Sequence, residues 1–214
     1  MAFNSAPFLF FFFPLAFLLY AVLPGYRLKN GLLAALGLIF YAFGQWQGIP
    51  LLLVCVLISY GAGRCMANPR LRKPACVLAL VLELGLRGIF KYLDFFTGTL
   101  SALLPVEIPA AGLLLPVGIS FFTFKSMSYV IDAYRAGEAP SCRLLDVLLY
   151  ISFFPQITSG PITRFGPFAA QLENRPFTPE GTARGLRRFI VGFGKKMLIA
   201  VPVAGIVDSV FALG

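Results

Sequence analysis

Long apolar stretches alternate with short polar connections along the first hundred positions of the chain. Four apolar runs occupy residues 7–23, 31–43, 50–62 and 75–96. Because a helix needs roughly 20 mostly apolar residues to cross the hydrocarbon core of a bilayer, this pattern predicts four membrane-spanning helices within residues 1–97.

The connections between these runs carry an alternating number of basic residues. In chain order they hold 2, 0, 4 and 0 lysines and arginines. Cytoplasmic loops of membrane proteins are enriched in Lys and Arg. The alternation therefore places the basic connections in the cytoplasm and the N-terminus outside, in a multi-pass arrangement.

The pattern changes after residue 110. An apolar stretch ends after only twelve residues, at Lys125, and the next one contains Pro155 and is followed by Gly160 and Pro161. Interrupted segments at membrane depth are tolerated where they are buried in protein or line a water-filled cavity. We expect residues 111–165 to form broken or re-entrant helices that line a cavity, with a simple helix bundle as the alternative.

The last part of the chain combines a basic stretch with a final apolar run. Residues 173–196 contain six lysines and arginines, and residues 197–213 are apolar apart from Pro202 and Asp208. The first segment is expected to lie along the cytoplasmic surface and the second to form the last helix. With no internal repeat or low-complexity linker, residues 1–214 are interpreted as one membrane domain.

Composition supports a lipid environment. The 214 residues are 58% hydrophobic and 13% charged, with a mean hydropathy of +0.83, whereas soluble domains average about 45–50% apolar and about 25% charged residues. Soluble enzymes and secreted disulfide scaffolds are thereby excluded. The fold class expected is an all-α integral membrane protein with several spans.

Charge and special residues narrow the chemistry further. The net charge of +9 lies mostly in short connections, which favours the membrane over nucleic acid as the partner. The chain contains no histidine, so the usual general base and most zinc sites are missing. The four cysteines form no CxxC pair and are interpreted as free, structural thiols.

One candidate constellation lies in the fourth apolar run. Glu83, Arg87 and Lys91 are spaced i, i+4 and i+8, and Asp94 lies close to the same stripe. Charged residues within membrane helices mark functional sites by default. The alternative is an internally paired stripe that joins Glu83 with Arg87 and Lys91 with Asp94.

A second constellation comprises Lys125, Tyr129 and Asp132 at i, i+4 and i+7, with Arg135 three residues later. Such a row is able to hold a phosphate or a carboxylate. Spacing alone favours a simpler interpretation, an ion pair between Asp132 and Arg135 at the end of a helix.

The third constellation is the segment 153–164, which contains two prolines and several polar side chains, among them Gln156 and Thr163. Proline releases backbone hydrogen-bonding groups, and polar side chains beside them suit a loop that faces a polar tunnel. A kinked structural helix remains the alternative.

Several motifs together resemble the membrane-bound O-acyltransferase family, in its bacterial alginate O-acetyltransferase branch. The matching segments are LPVGISFFTF at 115–124, SYVIDAYR at 128–135, YISFFPQ at 150–156, GPITR at 160–164, RGL at 184–186 and GKK at 194–196. Weaker similarity covers FNS at 3–5, FYA at 40–42 and FKYL at 90–93. The resemblance extends over nearly the whole chain.

The resemblance implies a partial O-acyltransferase fold from the N-terminal portion of a longer enzyme in the bacterial cytoplasmic membrane. Such an enzyme passes an acyl group from a cytoplasmic donor, an acyl-CoA such as acetyl-CoA or an acyl carrier protein, to an exported polysaccharide such as alginate. An extracytoplasmic acetyltransferase is a further expected partner, and no bound cofactor or metal is expected. The cavity-lining residues expected are Ser120, Gln156, Arg164, Lys91, Tyr129, Asp132 and Arg135.

The family's catalytic histidine is expected in a later part of the polypeptide, so no catalytic residue is assigned here and residues 1–214 alone are expected to be inactive. Alternative functions are D-alanyl transfer to teichoic acid, a transporter subunit whose broken helices line a permeation path, and a non-catalytic membrane fragment.

Overall fold

A computed structural model describes residues 3–103, 113, 115–136, 143–158, 160–173, 175–176 and 178–212. These residues are predominantly helical and contain no β-strand. The α-helices are α1 Phe13–Val22, α2 Tyr26–Gln45, α3 Ile49–Cys65, α4 Arg72–Leu103, α5 Ile119–Ala136, α6 Leu144–Ser152, α7 Phe165–Glu173, α8 Pro179–Lys195 and α9 Val201–Phe211. Apart from Pro7 and Leu23, the four predicted apolar runs lie within α1 to α4 and the π-helical turn Phe8–Phe12 that precedes α1.

The chain divides into two compact units. The larger unit is Leu23–Asn174 and contains α2 to α7, and the smaller unit joins Met1–Val22 with Arg175–Gly214. The candidate site lies in the larger unit.

Helices α2 and α6 run parallel in the larger unit. Ala34 and Leu149 belong to one buried cluster, and the rings of Phe40 and Phe154 lie 5.8 Å apart further along. Gly37 permits this approach, because a Cβ atom at that position would overlap the backbone carbonyl of Ser152. A glycine within the run therefore sets the distance between the two helices.

Helix α5 packs against both α3 and α4. Arg72 of α4 donates a hydrogen bond to the carbonyl of Tyr134 near the end of α5, while Arg87 lies 4.2 Å from the ring centroid of Phe124 near its beginning. The two helices are therefore antiparallel. The hydroxyl oxygen of Ser126 lies 3.2 Å from the carbonyl oxygen of Cys55. Further along α5 Tyr129 lies against Gly63, so that α3 and α5 run in the same direction.

Local sequence explains where several helices begin. Pro50 occupies the first turn of α3, where proline costs no hydrogen bond. Asp146 accepts a hydrogen bond of 3.0 Å from the backbone N–H of Arg143, which forms part of a capping box at the start of α6. Thr178 accepts from the N–H of Gly181 at 3.1 Å ahead of α8, and Pro179 follows it.

The smaller unit contains a long uninterrupted helical run. Helix α8, the π-helical turn Lys196–Ala200 and α9 follow one another without a break, so that the basic segment and the final apolar run are continuous. Phe13 of α1 stacks on Phe189 of α8 with ring centroids 4.9 Å apart.

Two helical stretches among the described residues are long and apolar enough to cross a membrane. Tyr26–Cys65 has 40 residues, and Pro179–Phe211 has 33. The first includes the short 3-10 turn Trp46–Gly48 between α2 and α3.

Lys125, where the apolar run ends, lies inside a helix, in keeping with its expected place on one helical face with Tyr129 and Asp132. Helix α5 passes through this residue without a break, and the Lys125 side chain is completely buried. The polar residue does not end the helix because its amino group has partners inside the protein. Among the cysteines, Cys55, Cys65 and Cys76 are free, as their spacing predicted, and Cys142 lies outside the described residues.

Candidate functional site

The candidate site is the junction between α5 and the segment 153–164, and its geometry begins at Gly118. This residue has φ +75°, a conformation that favours glycine, and a Cβ atom here would lie 2.7 Å from the carbonyl oxygen of Ile157. Helix α5 starts directly afterwards, since the N–H of Phe122 bonds to the Gly118 carbonyl at 3.0 Å. The close approach of Gly118 to the Ile157 carbonyl, which only glycine permits, thus joins the start of α5 to the segment 153–164.

Gln45, at the end of α2, holds the residues before Gly118. Its side-chain nitrogen donates to the carbonyl of Leu115 at 3.4 Å, and its side-chain oxygen accepts from the N–H of Val117 at 2.6 Å. The two bonds fix the approach of the chain to α5.

The centre of the junction is Lys125. Its Nζ donates a hydrogen bond of 3.0 Å to Oε1 of Gln156 and lies 4.7 Å from the ring centroid of Tyr150. An amino group removed from water needs such partners, because an unsatisfied buried polar group is costly. An amide oxygen and an aromatic face together supply them.

Gln156 belongs to a longer polar chain. Thr163 donates its hydroxyl to the same Oε1 at 3.2 Å, and the Tyr150 hydroxyl donates to the Thr163 carbonyl at 2.6 Å. Gln156 itself is half-buried. With its oxygen held by two donors, the orientation of its amide nitrogen is fixed, and this nitrogen is able to donate a hydrogen bond to a carbonyl or hydroxyl oxygen.

Aromatic rings and one carboxylate hold α7 against this network. Phe165 packs edge-on against Tyr129 at 4.8 Å and against Tyr150 at 5.2 Å. Its backbone N–H donates to Oδ2 of Asp132 at 3.0 Å. Because the first N–H groups of a helix have no intrahelical acceptor, Asp132 caps α7 and orients the segment that carries Gln156.

A second buried polar cluster joins α3, α4 and α5, and we call it the Glu83 cluster. Ser59 and Ser126 donate to Oε1 of Glu83 at 2.8 and 2.6 Å, and their own oxygens lie 2.5 Å apart. All three residues are fully buried. The other oxygen of Glu83, Oε2, has no hydrogen-bond partner among the described residues.

The spacing of α4 does not produce the Glu83–Arg87 pair that was one interpretation of its charges. Glu83 bonds to the two serines, and Arg87 lies over the Phe124 ring. Lys91 is exposed, with Nζ 5.3 Å from the ring centroid of Tyr92. The charged residues of α4 therefore lie in different environments and do not form one paired stripe along the helix.

Cavities at helix ends in the described part of the larger unit include the following three. The first, of about 400 Å³, adjoins Arg27, Asn30, Asp146 and other residues of α2, α6 and α7. The second, of about 410 Å³, is lined by seven residues that include Gln45, Phe90 and Pro116. The third, of about 370 Å³, is lined by Pro69, Arg72, Lys73, Tyr134 and Arg135, and we call it the cationic cavity.

The structure brings some of the predicted site residues together and separates others. Tyr129, Asp132 and Gln156 all take part in the junction. The remaining four lie elsewhere or at its edge. Ser120 is half-buried in the first turn of α5, Arg164 is exposed just before α7, Lys91 is exposed on α4, and Arg135 lines the cationic cavity.

The predicted ion pair between Asp132 and Arg135 is not formed, because Asp132 caps α7 while Arg135 lies near the end of α5. Sequence reasoning also missed Ser59, a single hydroxyl in an apolar run, and Gln45, a polar residue at a helix end. The sequence does mark both as polar residues in apolar surroundings, and such a residue needs a hydrogen-bond partner when it is buried. The distant partner itself is not visible in the sequence.

The sequence of this chain is similar to those of several curated proteins. A "Probable alginate O-acetylase AlgI" of Azotobacter vinelandii is 36% identical over 222 residues, which cover 100% of this chain and 44% of that protein. The "Peptidoglycan O-acetyltransferase" of Helicobacter pylori is 30% identical over 99% of this chain and 46% of its own length. The "Teichoic acid D-alanyltransferase" of Bacillus subtilis is 30% identical over 75% of this chain and 38% of its own length.

The chain thus spans less than half the length of these curated relatives. No family model matches it, and no solved structure matches it.

Proposed function

Because the chain belongs to the membrane-bound O-acyltransferase family, in its alginate O-acetylase branch, we propose that it forms part of an enzyme that O-acetylates an exported polysaccharide. The observation that carries this proposal is the 36% identity with an alginate O-acetylase over 100% of the chain. By resemblance to the family, the proposal places the catalytic histidine of the enzyme outside these 214 residues, which contain none.

The first element of the proposal is a multi-pass position in the bacterial cytoplasmic membrane, with the N-terminus outside. Support comes from the outward apolar side chains, such as Leu18 at 60% and Leu198 at 79% exposure, which are costly in water and favourable in lipid. The basic connection between α3 and α4 then faces the cytoplasm.

Cysteine labelling tests this orientation. Cys65 is exposed on the basic side, so that a membrane-impermeant maleimide should label it in inverted vesicles and not in intact cells. Cys142→Ser serves as the background and Cys65→Ser as the control for specificity. Labelling in intact cells would contradict the orientation.

The second element is the role of the junction. Segments 120–135 and 153–164 line the path of the donor, where the amide nitrogen of Gln156 donates a hydrogen bond to the acyl group or its carrier. The fixed orientation of this amide by Lys125 and Thr163 supports the assignment, since a preorganised donor loses little freedom on binding. Ser120 and Arg164 flank this path at half-buried and exposed positions.

The third element is donor and partner recognition. The basic stretch 184–196 attracts an anionic cytoplasmic donor, an acyl-CoA such as acetyl-CoA or an acyl carrier protein, by long-range electrostatics. On the outer side, an extracytoplasmic acetyltransferase is the proposed partner that receives the acyl group. No bound cofactor enters this scheme.

The decisive experiment uses the complete native polypeptide that contains this segment. It is expressed in a bacterium that exports alginate but lacks its own alginate O-acetylase, and ester-linked acetate on the exported polymer is measured by NMR. We expect acetate to return to the polymer. Normal membrane levels of the protein without acetylated polymer would contradict the proposed acceptor.

Parallel assays separate the other functions. Acetate on peptidoglycan or D-alanine esters on teichoic acid would assign the acceptors named for the Helicobacter pylori and Bacillus subtilis relatives. Solute flux through liposomes that contain the protein, without acyl transfer, would instead indicate a transporter subunit.

A further inference from the structure

The cationic cavity lies apart from the junction, at the N-terminal end of α4 and the C-terminal end of α5. Its volume is about 370 Å³, and its described lining contains three positively charged side chains, Arg72, Lys73 and Arg135, and no carboxyl group. Three cations around one cavity repel one another unless an anion lies between them.

Arg72 holds the cavity in shape. Its guanidinium donates to the carbonyl of Tyr134 and lies 5.2 Å from the centroid of the Tyr134 ring. Both contacts fix the beginning of α4 against the end of α5. Lys73 and Arg135 are exposed and take no part in these contacts, so that their charges are available to a ligand.

An apolar strip on α4 begins directly beside this cavity. Val77 and Val81 follow Lys73 at i+4 and i+8, on the same face of the helix. Their side chains are 52% and 60% exposed. A cationic site therefore adjoins an outward apolar surface about two helical turns long.

We propose that this surface binds an anionic phospholipid, with its phosphate in the cationic cavity between Lys73 and Arg135 and its acyl chains along Val77 and Val81. Basic pockets at the ends of membrane helices suit phosphate headgroups. The adjoining apolar strip favours a lipid over a soluble phosphate, because Val77 and Val81 offer the acyl chains a contact surface that a soluble phosphate ester would not use. The site is independent of acyl transfer.

The test is native mass spectrometry of the complete native polypeptide in detergent, titrated with phosphatidylglycerol and, separately, with phosphatidylcholine. The wild type should bind phosphatidylglycerol more tightly. The double variant Lys73→Gln/Arg135→Gln should raise the Kd for phosphatidylglycerol roughly thirtyfold and leave phosphatidylcholine binding unchanged. Equal binding of the two lipids by the wild type, or no change in the variant, would overturn the proposal.

The matched control is Arg187→Gln/Arg188→Gln on α8, which removes the same charge from exposed positions outside the cavity. An equal loss of binding in this control would show a general charge effect and contradict a site. Lys73→Arg/Arg135→Lys keeps both charges and should retain binding. If the double Gln variant does not fold, each single Gln variant should raise the Kd roughly fivefold.

Competition with a soluble phosphate ester tests whether the bound phosphate belongs to a lipid. Glycerol 3-phosphate carries a phosphate group without acyl chains and should not displace phosphatidylglycerol at millimolar concentration. Complete displacement would assign the cavity to soluble phosphate esters and overturn the lipid assignment.

Discussion

Lys125 donates a hydrogen bond of 3.0 Å to Gln156 across 31 positions of the chain, and this bond joins the two family motifs at the candidate site. The lysine is fully buried and the glutamine half-buried. The pair therefore combines a stabilising contact with a polar group that remains accessible to a ligand.

A double-mutant cycle on Lys125→Met and Gln156→Leu should reveal coupling between the two side chains. Each single variant removes the Lys125–Gln156 hydrogen bond, and Gln156→Leu also leaves the buried Lys125 amino group without this acceptor. The double variant should therefore be more stable than the sum predicts by about 1–2 kcal/mol. The free energy of unfolding is measured by SDS titration in mixed micelles. Lys91→Met, at an exposed lysine, is the control and should change it by less than about 0.5 kcal/mol.

Gln156→Leu should also lower acetyl transfer by the complete enzyme, by roughly tenfold in kcat/KM, which corresponds to about 1.4 kcal/mol. The leucine fills similar space but has no amide donor. Arg164→Gln removes an exposed charge and should have a smaller effect. Unchanged turnover in both variants would contradict the assignment of this segment to the donor path.

In the Glu83 cluster, a single substitution should destabilise the protein, whereas the combined substitution of all three residues should restore most of the stability. Ser59→Ala alone should lower the free energy of unfolding by about 1–2 kcal/mol, because it removes a donor from a buried carboxyl group. Replacing all members together, as Ser59→Ala/Glu83→Leu/Ser126→Ala, removes the need for partners and should recover most of this loss. A triple variant as unstable as the sum of the single variants would contradict this.

Gly118→Ala should destabilise the protein by more than about 1 kcal/mol, since it combines a left-handed backbone with a clash at the Ile157 carbonyl. Gly85→Ala on α4 is the matched control. No atom lies within 4 Å of a Cβ atom there, so that the same substitution should be neutral or stabilising by up to about 1 kcal/mol. Thermal unfolding of both variants gives the comparison.

Asp132→Ala should lower the stability of α7 by about 1 kcal/mol, because the N–H of Phe165 loses its acceptor. Hydrogen exchange of this amide should accelerate. Asp132→Asn retains a side-chain oxygen and should preserve most of the protection. Equal exchange in wild type and Asp132→Ala would show that the cap contributes little.

The helical class and the positions of the apolar runs were predictable from the sequence, because they depend on composition and local periodicity. The site was predictable only in part. At about 100° per residue, Tyr129 and Asp132 stay within about 40° of Lys125 around α5, and both join the junction. Arg135 is rotated by about 80°, and it lies at the cationic cavity instead.

The same rotation around the helix axis explains why the charged residues of α4 differ in burial. Successive residues at i+4 rotate by about 40°, so that the stripe moves from buried Glu83 to exposed Lys91. Partners from other helices, such as Ser59 and Ser126, depend on tertiary packing. A single sequence shows that Glu83 lies in an apolar run and needs partners if buried, but it does not show which residues of other helices are those partners.

The Glu83 cluster also bears on how the protein is made. Ser126 follows Glu83 by 43 positions, which at about 5–20 residues per second corresponds to about 2–9 s of synthesis. During this interval α4 has one of its two serine donors, from α3, and lacks the second. In the proposed membrane arrangement, Glu83 therefore has only Ser59 of α3 as a serine donor until Ser126 has been synthesised, and we expect α4 to stay beside α3 during this interval.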